Sequence, residues 1–167
     1  VPRGDEGRHG GVFFPNSKAG IHPDEITLAE LLREEGYATG CVGKWHLGHL
    51  PEFLPTRNGF DSYFGIPYSN DMKPCPVLRG EEEIEEPAVQ ETLTERYTAE
   101  SIDFIRENKD EPFFLYRAHS MPHIPLFASE KFTDKSEGGL YGDVIETIDW
   151  GVGQILDTLD ELDIADN

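Results

Sequence analysis

The strongest indication of the architecture is the stretch Gly36-Tyr37-Ala38-Thr39-Gly40-Cys41-Val42-Gly43-Lys44-Trp45-His46. Its small and β-branched residues from 37 to 42 predict a strand, and a lysine and a histidine follow that strand two positions apart. Side chains at i and i+2 of an extended segment point to the same side. We therefore expect Lys44 and His46 to face one anion while Trp45 turns into the fold.

Helical patterns alternate with strand patterns along the rest of the chain. Thr27 and Glu30 form a capping box ahead of an apolar run that ends at Gly36, and Thr92 and Glu95 form a second capping box. This alternation predicts a layered α/β domain, in which sites collect beyond the carboxyl ends of the strands. The predicted elements are a helix over 27–35, a strand over 37–42, a helix over 92–108, a buried strand over Phe113–Ala118 and an amphipathic helix over 143–162.

Two further segments are predicted to lack regular structure. Residues 43–76 are rich in Gly, Pro, Asn and Asp, which indicates a long connection of the kind that usually carries function. Residues 81–86 are acidic at five of six positions and predict a solvated surface loop rather than a cation site. We assign no chemistry to this acidic segment.

Composition limits the possible classes of protein. A chain of 167 residues with 37% hydrophobic content can form one globular core. The formal net charge of −19 argues against a nucleic-acid partner and against anionic membrane surfaces. The chain has no run of eighteen apolar residues that would predict a membrane span. Cys41 is expected to be a buried thiol, because a disulfide to Cys75 would require a strand interior to meet a loop.

The stretch that ends in Lys44-Trp45-His46 resembles the second signature of the type I sulfatase family, and it matches every position that this signature fixes. Similarity to the arylsulfatase A and galactosamine-6-sulfatase branch continues through Phe64-Gly65-Ile66-Pro67-Tyr68-Ser69, Met121-Pro122-His123-Ile124-Pro125 and Tyr141-Gly142-Asp143. The resemblance implies an alkaline-phosphatase-like α/β fold, with a mixed sheet flanked by helices, and hydrolysis of sulfuric esters.

Three features of that family are not found in this sequence. They are an early pair of aspartates, a Cys-or-Ser-x-Pro-x-Arg segment whose first residue becomes formylglycine, and a later metal-binding Asp-Asn; Asp166-Asn167 falls at a loop position before the strand that would carry that pair. We therefore expect residues 1–167 to be the central part of a sulfatase catalytic domain, inactive alone. The nucleophile segment, the metal-binding strand and most ligands of a calcium or magnesium ion would lie outside the chain, and no residue here is assigned to the metal.

The resemblance also implies roles for four residues. Lys44 matches the lysine that contacts the sulfate and the formylglycine side chain. His46 matches the histidine that helps the hydrated aldehyde to expel sulfate after transfer. His123 matches the histidine that contacts sulfate and protonates the leaving oxygen, a role that imidazole side chains often have in enzymes. Ser69 matches a substrate-contacting serine.

The other polar residues near these motifs are predicted to have structural roles. Asn70 and Asp71 are expected to make local side-chain to backbone turns. His119 is expected at a loop or strand end. His9, His22 and His49 are predicted to be surface or loop residues, since none has a partner at metal-ligand spacing.

The sequence favours a sulfatase that acts on a sulfated small molecule or glycan. Two alternatives remain at this point: a phosphate or phosphonate monoester hydrolase of the same superfamily, and a noncatalytic relative that binds sulfated glycans. The resemblance implies a secreted, periplasmic or lysosomal location.

Overall fold

The computed structural model describes residues 12–166, which form a mixed sheet and three principal helices. Two short 3-10 turns, Pro51–Phe53 and Pro55–Arg57, lie between the first two strands. The helices are α1 (Leu28–Glu34), α2 (Gln90–Glu107) and α3 (Gly139–Glu161); the strands are β1 (Ala38–Gly43), β2 (Ser62–Gly65), β3 (Val77–Arg79), β4 (Glu82–Glu85) and β5 (Phe113–Ala118).

The five strands lie in the order β4-β3-β2-β1-β5. Strand β1 runs parallel to both β2 and β5, whereas β3 pairs antiparallel with β2 and with β4. The carboxyl ends of β1, β2 and β5 therefore meet at one edge of the sheet. This mixed sheet flanked by helices confirms the predicted fold class.

Alternate residues of β1 supply two hydrophobic cores. Val42 faces α2, and Cys41 faces α1 and the 3-10 turns. Helix α3 packs against α2. The core on the α2 face includes Val42, Phe64, Ile66, Val77, Leu93 and Tyr97, and the opposite core includes Ala29, Cys41, Trp45, Leu54, Phe60 and Tyr63.

The first predicted helix is confirmed together with its cap. The Thr27 hydroxyl accepts a hydrogen bond from the Glu30 N–H at 3.1 Å, and the Glu30 carboxylate accepts one from the Thr27 N–H at 2.7 Å. Cys41 is buried as predicted, and both it and Cys75 are free thiols. Within residues 12–166, no helix combines the length and the apolar character needed to span a membrane.

The predicted start of the second helix was wrong. Helix α2 begins at Gln90, and Thr92 is no cap, because its hydroxyl donates to the carbonyl of Val89 inside the first turn. Contacts with the rest of the fold set the earlier start. The Glu85 carboxylate accepts from the Val89 N–H at 2.7 Å, and Gln90 donates to the backbone carbonyl of Asn70.

Three other expectations needed correction. Residues 43–76 contain the strand β2. It has four residues in a segment rich in glycine and proline, which is too short to show an alternation of apolar and polar side chains. Residues 81–86 are not a loop, since most of them form β4, whose backbone pairs with β3 while Glu82 and Glu83 stay exposed and Glu85 is half-buried. Strand β5 is half-buried rather than buried, because it pairs with β1 on one side and no strand in the described part of the chain covers the other.

The last predicted helix begins earlier than expected. Helix α3 starts at Gly139 rather than at Asp143, because the first turn, rich in glycine, has no apolar periodicity. Asp143 lies in the second turn, where its carboxylate accepts three backbone N–H groups from Asp134, Lys135 and Ser136. These hydrogen bonds hold the pKa of Asp143 below its usual range.

Candidate active site

The backbone that follows β1 is clamped between two neighbouring segments. The Lys44 N–H donates to the Ala118 carbonyl at the end of β5, and the Trp45 and His46 N–H groups donate to Ile66 and Pro67 beyond β2. Gly43 has φ of 117°, and a Cβ there would overlap the Ala118 carbonyl. Glycine therefore permits the close approach that brings these three strand ends together.

Side chains leave this segment on opposite sides, as the spacing predicted. Trp45 is buried, its indole N–H donates to the Phe53 carbonyl at 2.7 Å, and its ring packs edge-on against Phe60. The Lys44 ammonium group instead donates to the hydroxyl of Ser69 at 3.1 Å, across 25 residues of sequence. A cation and a hydroxyl donor thus converge at the strand edge, where they can both meet an anion.

His46 is held in an unusual conformation beside this pair. Its φ is 65°, a left-handed value that a non-glycine residue rarely adopts, and its Nε2 lies 3.1 Å from the Phe13 carbonyl. Burial lowers the pKa of His46, the Phe13 carbonyl opposes that effect, and the charge of Lys44 adds to it. Asp71 raises this pKa and His123 lowers it, which places all these groups in one electrostatic neighbourhood.

His123 lies in the loop after β5, with its side chain 44% exposed. Its Nδ1 is 2.6 Å from the Ile124 carbonyl, so that nitrogen carries the proton and donates it. Nε2 is therefore the ring atom that can face a ligand. The Asp71 carboxylate lies 4.0 Å from Nδ1 and adds negative charge beside the imidazole.

Asn70 and Asp71 belong to the site more closely than the sequence indicated. The local turn here is a backbone turn, in which the Met72 N–H donates to the Ser69 carbonyl, and not the expected side-chain to backbone turn. The Asn70 side chain, however, donates to the carbonyl of Pro125, 55 residues away in the His123 loop. The sequence alone does not show that Asn70 contacts the His123 loop. Its position next to Ser69 is the one feature of the sequence that places it near the site.

Sequence reasoning also missed a pair of aromatic residues behind His46. Tyr68 is buried, its ring packs edge-on against His46 at 5.6 Å, and its hydroxyl lies 2.8 Å from Nδ1 of His49. Burial raises the pKa of the Tyr68 hydroxyl, which therefore stays protonated at neutral pH. His49 is a loop residue, as expected. It also contacts the Tyr68 hydroxyl and so helps to fix the ring that packs against His46.

The remaining histidines lie apart from these contacts. His22 is exposed and accepts a hydrogen bond from the Asp24 N–H, which fits a surface role. His119 follows β5, and burial together with the charge of Arg117 lowers its pKa to about 4. His9 lies outside the described residues.

The described residues do not form a metal site by themselves. Within 12–166, no group of three His, Cys, Asp or Glu side chains lies close enough together to hold an ion. Both thiols are buried, and burial raises the pKa of Cys75 to about 11 and that of Cys41 further. Neither thiol is therefore suited to act as a nucleophile.

Comparison with known proteins gives consistent results. The chain is 42% identical to human N-acetylgalactosamine-6-sulfatase over 174 residues, which cover 93% of this chain and 33% of that protein. It is 34% identical to human arylsulfatase A, over 96% of this chain and 37% of that protein. The chain therefore spans about a third of the length of the curated relatives it matches.

Solved structures share the fold. A Bacteroides thetaiotaomicron sulfatase, described in a study of the metabolism of multiple glycosaminoglycans, superposes with a TM-score of 0.86 at 27% identity, over 96% of this chain and 47% of its own. The Ps i-CgsB protein in complex with k-i-k-neocarrahexaose gives a TM-score of 0.76 at 28% identity, over 91% of this chain and 40% of that one. The likeness confirms the alkaline-phosphatase-like fold. The family model described as Sulfatase matches residues 5–167, and the chain belongs to the sulfatase family.

Proposed function

We propose that this chain supplies the sulfate-binding and proton-transfer residues of an enzyme that hydrolyses sulfate monoesters. The observation that carries the proposal is the convergence of the Lys44 ammonium group and the Ser69 hydroxyl at 3.1 Å. Both are donors, and both lie at the edge where three strands end. Preorganised donors of this kind stabilise the charge on the nonbridging oxygens of a tetrahedral anion.

The two histidines suit proton transfer on either side of that anion. Because the pKa of His46 is lowered, this ring stays neutral at neutral pH and can accept a proton during the release of sulfate. The Nδ1 contact leaves Nε2 of His123 free, and in the protonated ring Nε2 can contact sulfate and donate a proton to the leaving oxygen. In this proposal His46 is the base and His123 is the acid.

The nucleophile and the metal ion do not fit residues 12–166. A calcium or magnesium ion and a formylglycine follow from the family resemblance, yet the described residues bring no three candidate ligands together and both thiols are buried. In this proposal both groups belong to other parts of a longer protein. In this proposal residues 1–167 are the central part of the catalytic domain.

The substrate we propose is a sulfated glycan. The name N-acetylgalactosamine-6-sulfatase and the complex of i-CgsB with an oligosaccharide both support a carbohydrate ligand for this branch of the family. A secreted, periplasmic or lysosomal location is part of the same proposal and rests on the family resemblance. Net charge of −19 makes the local cation at Lys44 important for attracting any anionic substrate.

The test compares three samples: a full-length protein containing this chain, produced with a formylglycine-generating enzyme, its His123→Ala variant, and this chain alone. We expect hydrolysis of aryl and sugar sulfates by the first, a loss of about 100-fold or more in the second, and none in the third.

Two other outcomes would contradict the proposal. Hydrolysis of phosphate or phosphonate esters in preference to sulfates would favour the related phosphohydrolase reading. Binding of a sulfated glycan without turnover, in protein whose formylglycine is confirmed, would favour a noncatalytic role.

A further inference from the structure

Asn70 connects the two segments that carry Ser69 and His123. Its side chain is 3% exposed, and its Nδ2 donates to the Pro125 carbonyl at 2.9 Å. Its own backbone carbonyl accepts a hydrogen bond at 2.6 Å from the side chain of Gln90, in the first turn of α2. One buried residue, through its side chain and its backbone carbonyl, therefore ties a helix end, the Ser69 segment and the His123 loop together.

The His123 loop is fixed at both ends, while its middle is exposed. On one side Met121 is 3% exposed and packs with Ala128 and Val144 in a separate core. On the other side Pro125 is exposed, and the bond from Asn70 is what joins its carbonyl to the buried structure. His123 lies between these two contacts, and Leu126 and Phe127 pack against the same core beyond Pro125. Loss of the Asn70 bond would therefore loosen the exposed backbone beside the imidazole rather than the whole loop.

The two polar atoms of the Asn70 side chain differ in their contacts, and the Nδ2 donor is the one that is used. Its Oδ1 is buried and has no hydrogen-bond partner among the described residues. An unpartnered buried acceptor is unfavourable, so stability alone would favour a side chain without it. The Nδ2 donor is the part of this side chain that makes a contact across the site.

We propose that Asn70 is a positioning residue that holds the His123 imidazole at a fixed distance from the Lys44 and Ser69 donors. This inference rests on the proposed sulfatase function. Asn70 touches neither sulfate nor the leaving group. It acts through the Pro125 carbonyl, and its effect is on how well His123 can deliver a proton.

A displaced acid has a characteristic kinetic effect. A nitrophenolate leaves without much help from a proton, whereas an alkoxide from a primary sugar sulfate needs one. Misplacing His123 should therefore slow sugar sulfate hydrolysis far more than nitrophenyl sulfate hydrolysis. A general loss of folded enzyme would lower both rates by the same factor.

The experiment measures kcat/KM for a series of sulfate esters with leaving groups of increasing basicity, using the full-length protein and its Asn70→Ala variant. We expect a loss of about 10- to 100-fold for a primary sugar sulfate and less than about 3-fold for nitrophenyl sulfate. The matched control is Asn58→Ala, since Asn58 is also buried and donates to a backbone carbonyl, that of Leu54, on the other face of the sheet. The control should leave the dependence on leaving-group basicity unchanged.

The outcomes separate this inference from the proposed function. Absence of sulfatase activity in the unmodified protein would refute the function and the inference together. Activity with the same leaving-group dependence in Asn70→Ala as in Asn58→Ala would overturn the positioning role alone. If Asn70→Ala does not fold, Asn70→Asp keeps the side-chain volume but replaces the donor, and the same steeper dependence is expected. Insolubility of both variants would overturn the proposal in favour of a purely structural role.

Discussion

Lys44 places an ammonium group 3.1 Å from the Ser69 hydroxyl, the position at which the proposed function puts the sulfate oxygens. Replacing it by methionine keeps the length of the side chain and removes the charge. We expect Lys44→Met to lower kcat/KM for sulfate esters by about 100- to 1,000-fold, the size of effect found when a preorganised donor is lost. Steady-state kinetics on the full-length protein measure it.

The control for this variant is Lys109→Met. Lys109 is exposed, pairs with Asp110 and precedes β5, at the opposite edge of the sheet from the site. It should leave kcat/KM within about 2-fold, because surface ion pairs contribute little to the folded structure. An equal loss in both variants would show that Lys44 acts only through the overall charge of the protein.

His119 makes stability depend on pH. Its pKa is about 4 in the folded protein, against an ordinary value of 6.5, because burial and the charge of Arg117 disfavour the protonated ring. Between these two values the unfolded chain binds more protons than the folded one, so stability falls as the pH drops from about 6.5 to about 4. Above pH 7 the effect disappears.

His119→Gln should remove this part of the pH dependence. We expect the difference in unfolding free energy between pH 7 and pH 4 to shrink by about 1–2 kcal/mol, less than the full shift implies, since the ring is partly solvated. Chemical denaturation at a series of pH values measures it. An unchanged slope between wild type and variant would mean that His119 stays accessible to protons in the folded state.

At the scale of the element, two threonines with the same sequence pattern have different roles. Thr27 caps α1 and also donates to the Asn58 carbonyl at 2.9 Å, whereas Thr92 lies inside the first turn of α2. We expect Thr27→Ala to lower the free energy of unfolding by about 1–2 kcal/mol. Thr92→Ala should cost less than about 0.5 kcal/mol, as is usual for an exposed position. Thermal or denaturant unfolding of the two variants measures both free energies. Equal losses of stability would contradict the assignment of Thr27 as the cap.

The sequence predicted those elements whose signals lie within a few neighbouring residues. The capping box at Thr27 and the apolar spacing of α3 needed no partner to be recognised, and the burial of Trp45 was expected from the extended segment after β1. Strands β2, β3 and β4, of three or four residues each, depend on pairing with neighbours and left no periodic signal. Contacts between distant segments, such as Asn70 with Pro125, have no local pattern at all.

At the scale of the whole molecule, several apolar side chains remain exposed on two helices and on β5. Leu28 and Leu31 project from α1, and Leu156 is 56% exposed on α3. Tyr116 is 45% exposed on β5, whose free edge presents unpaired backbone groups within the described structure. Apolar surfaces and free strand edges of this kind promote association.

These surfaces predict low stability for the 167-residue chain when it is prepared alone. We expect a broad thermal transition below about 45 °C, the lower end of the range for ordinary domains, together with binding of a dye that reports exposed apolar surface. The variant Leu156→Gln should bind less dye at an unchanged secondary-structure content, because it removes apolar area from a solvent-exposed position. Circular dichroism and dye fluorescence on the same samples measure both quantities. A sharp cooperative transition above about 60 °C without dye binding would show instead that the two cores beside β1 stabilise this chain without further cover.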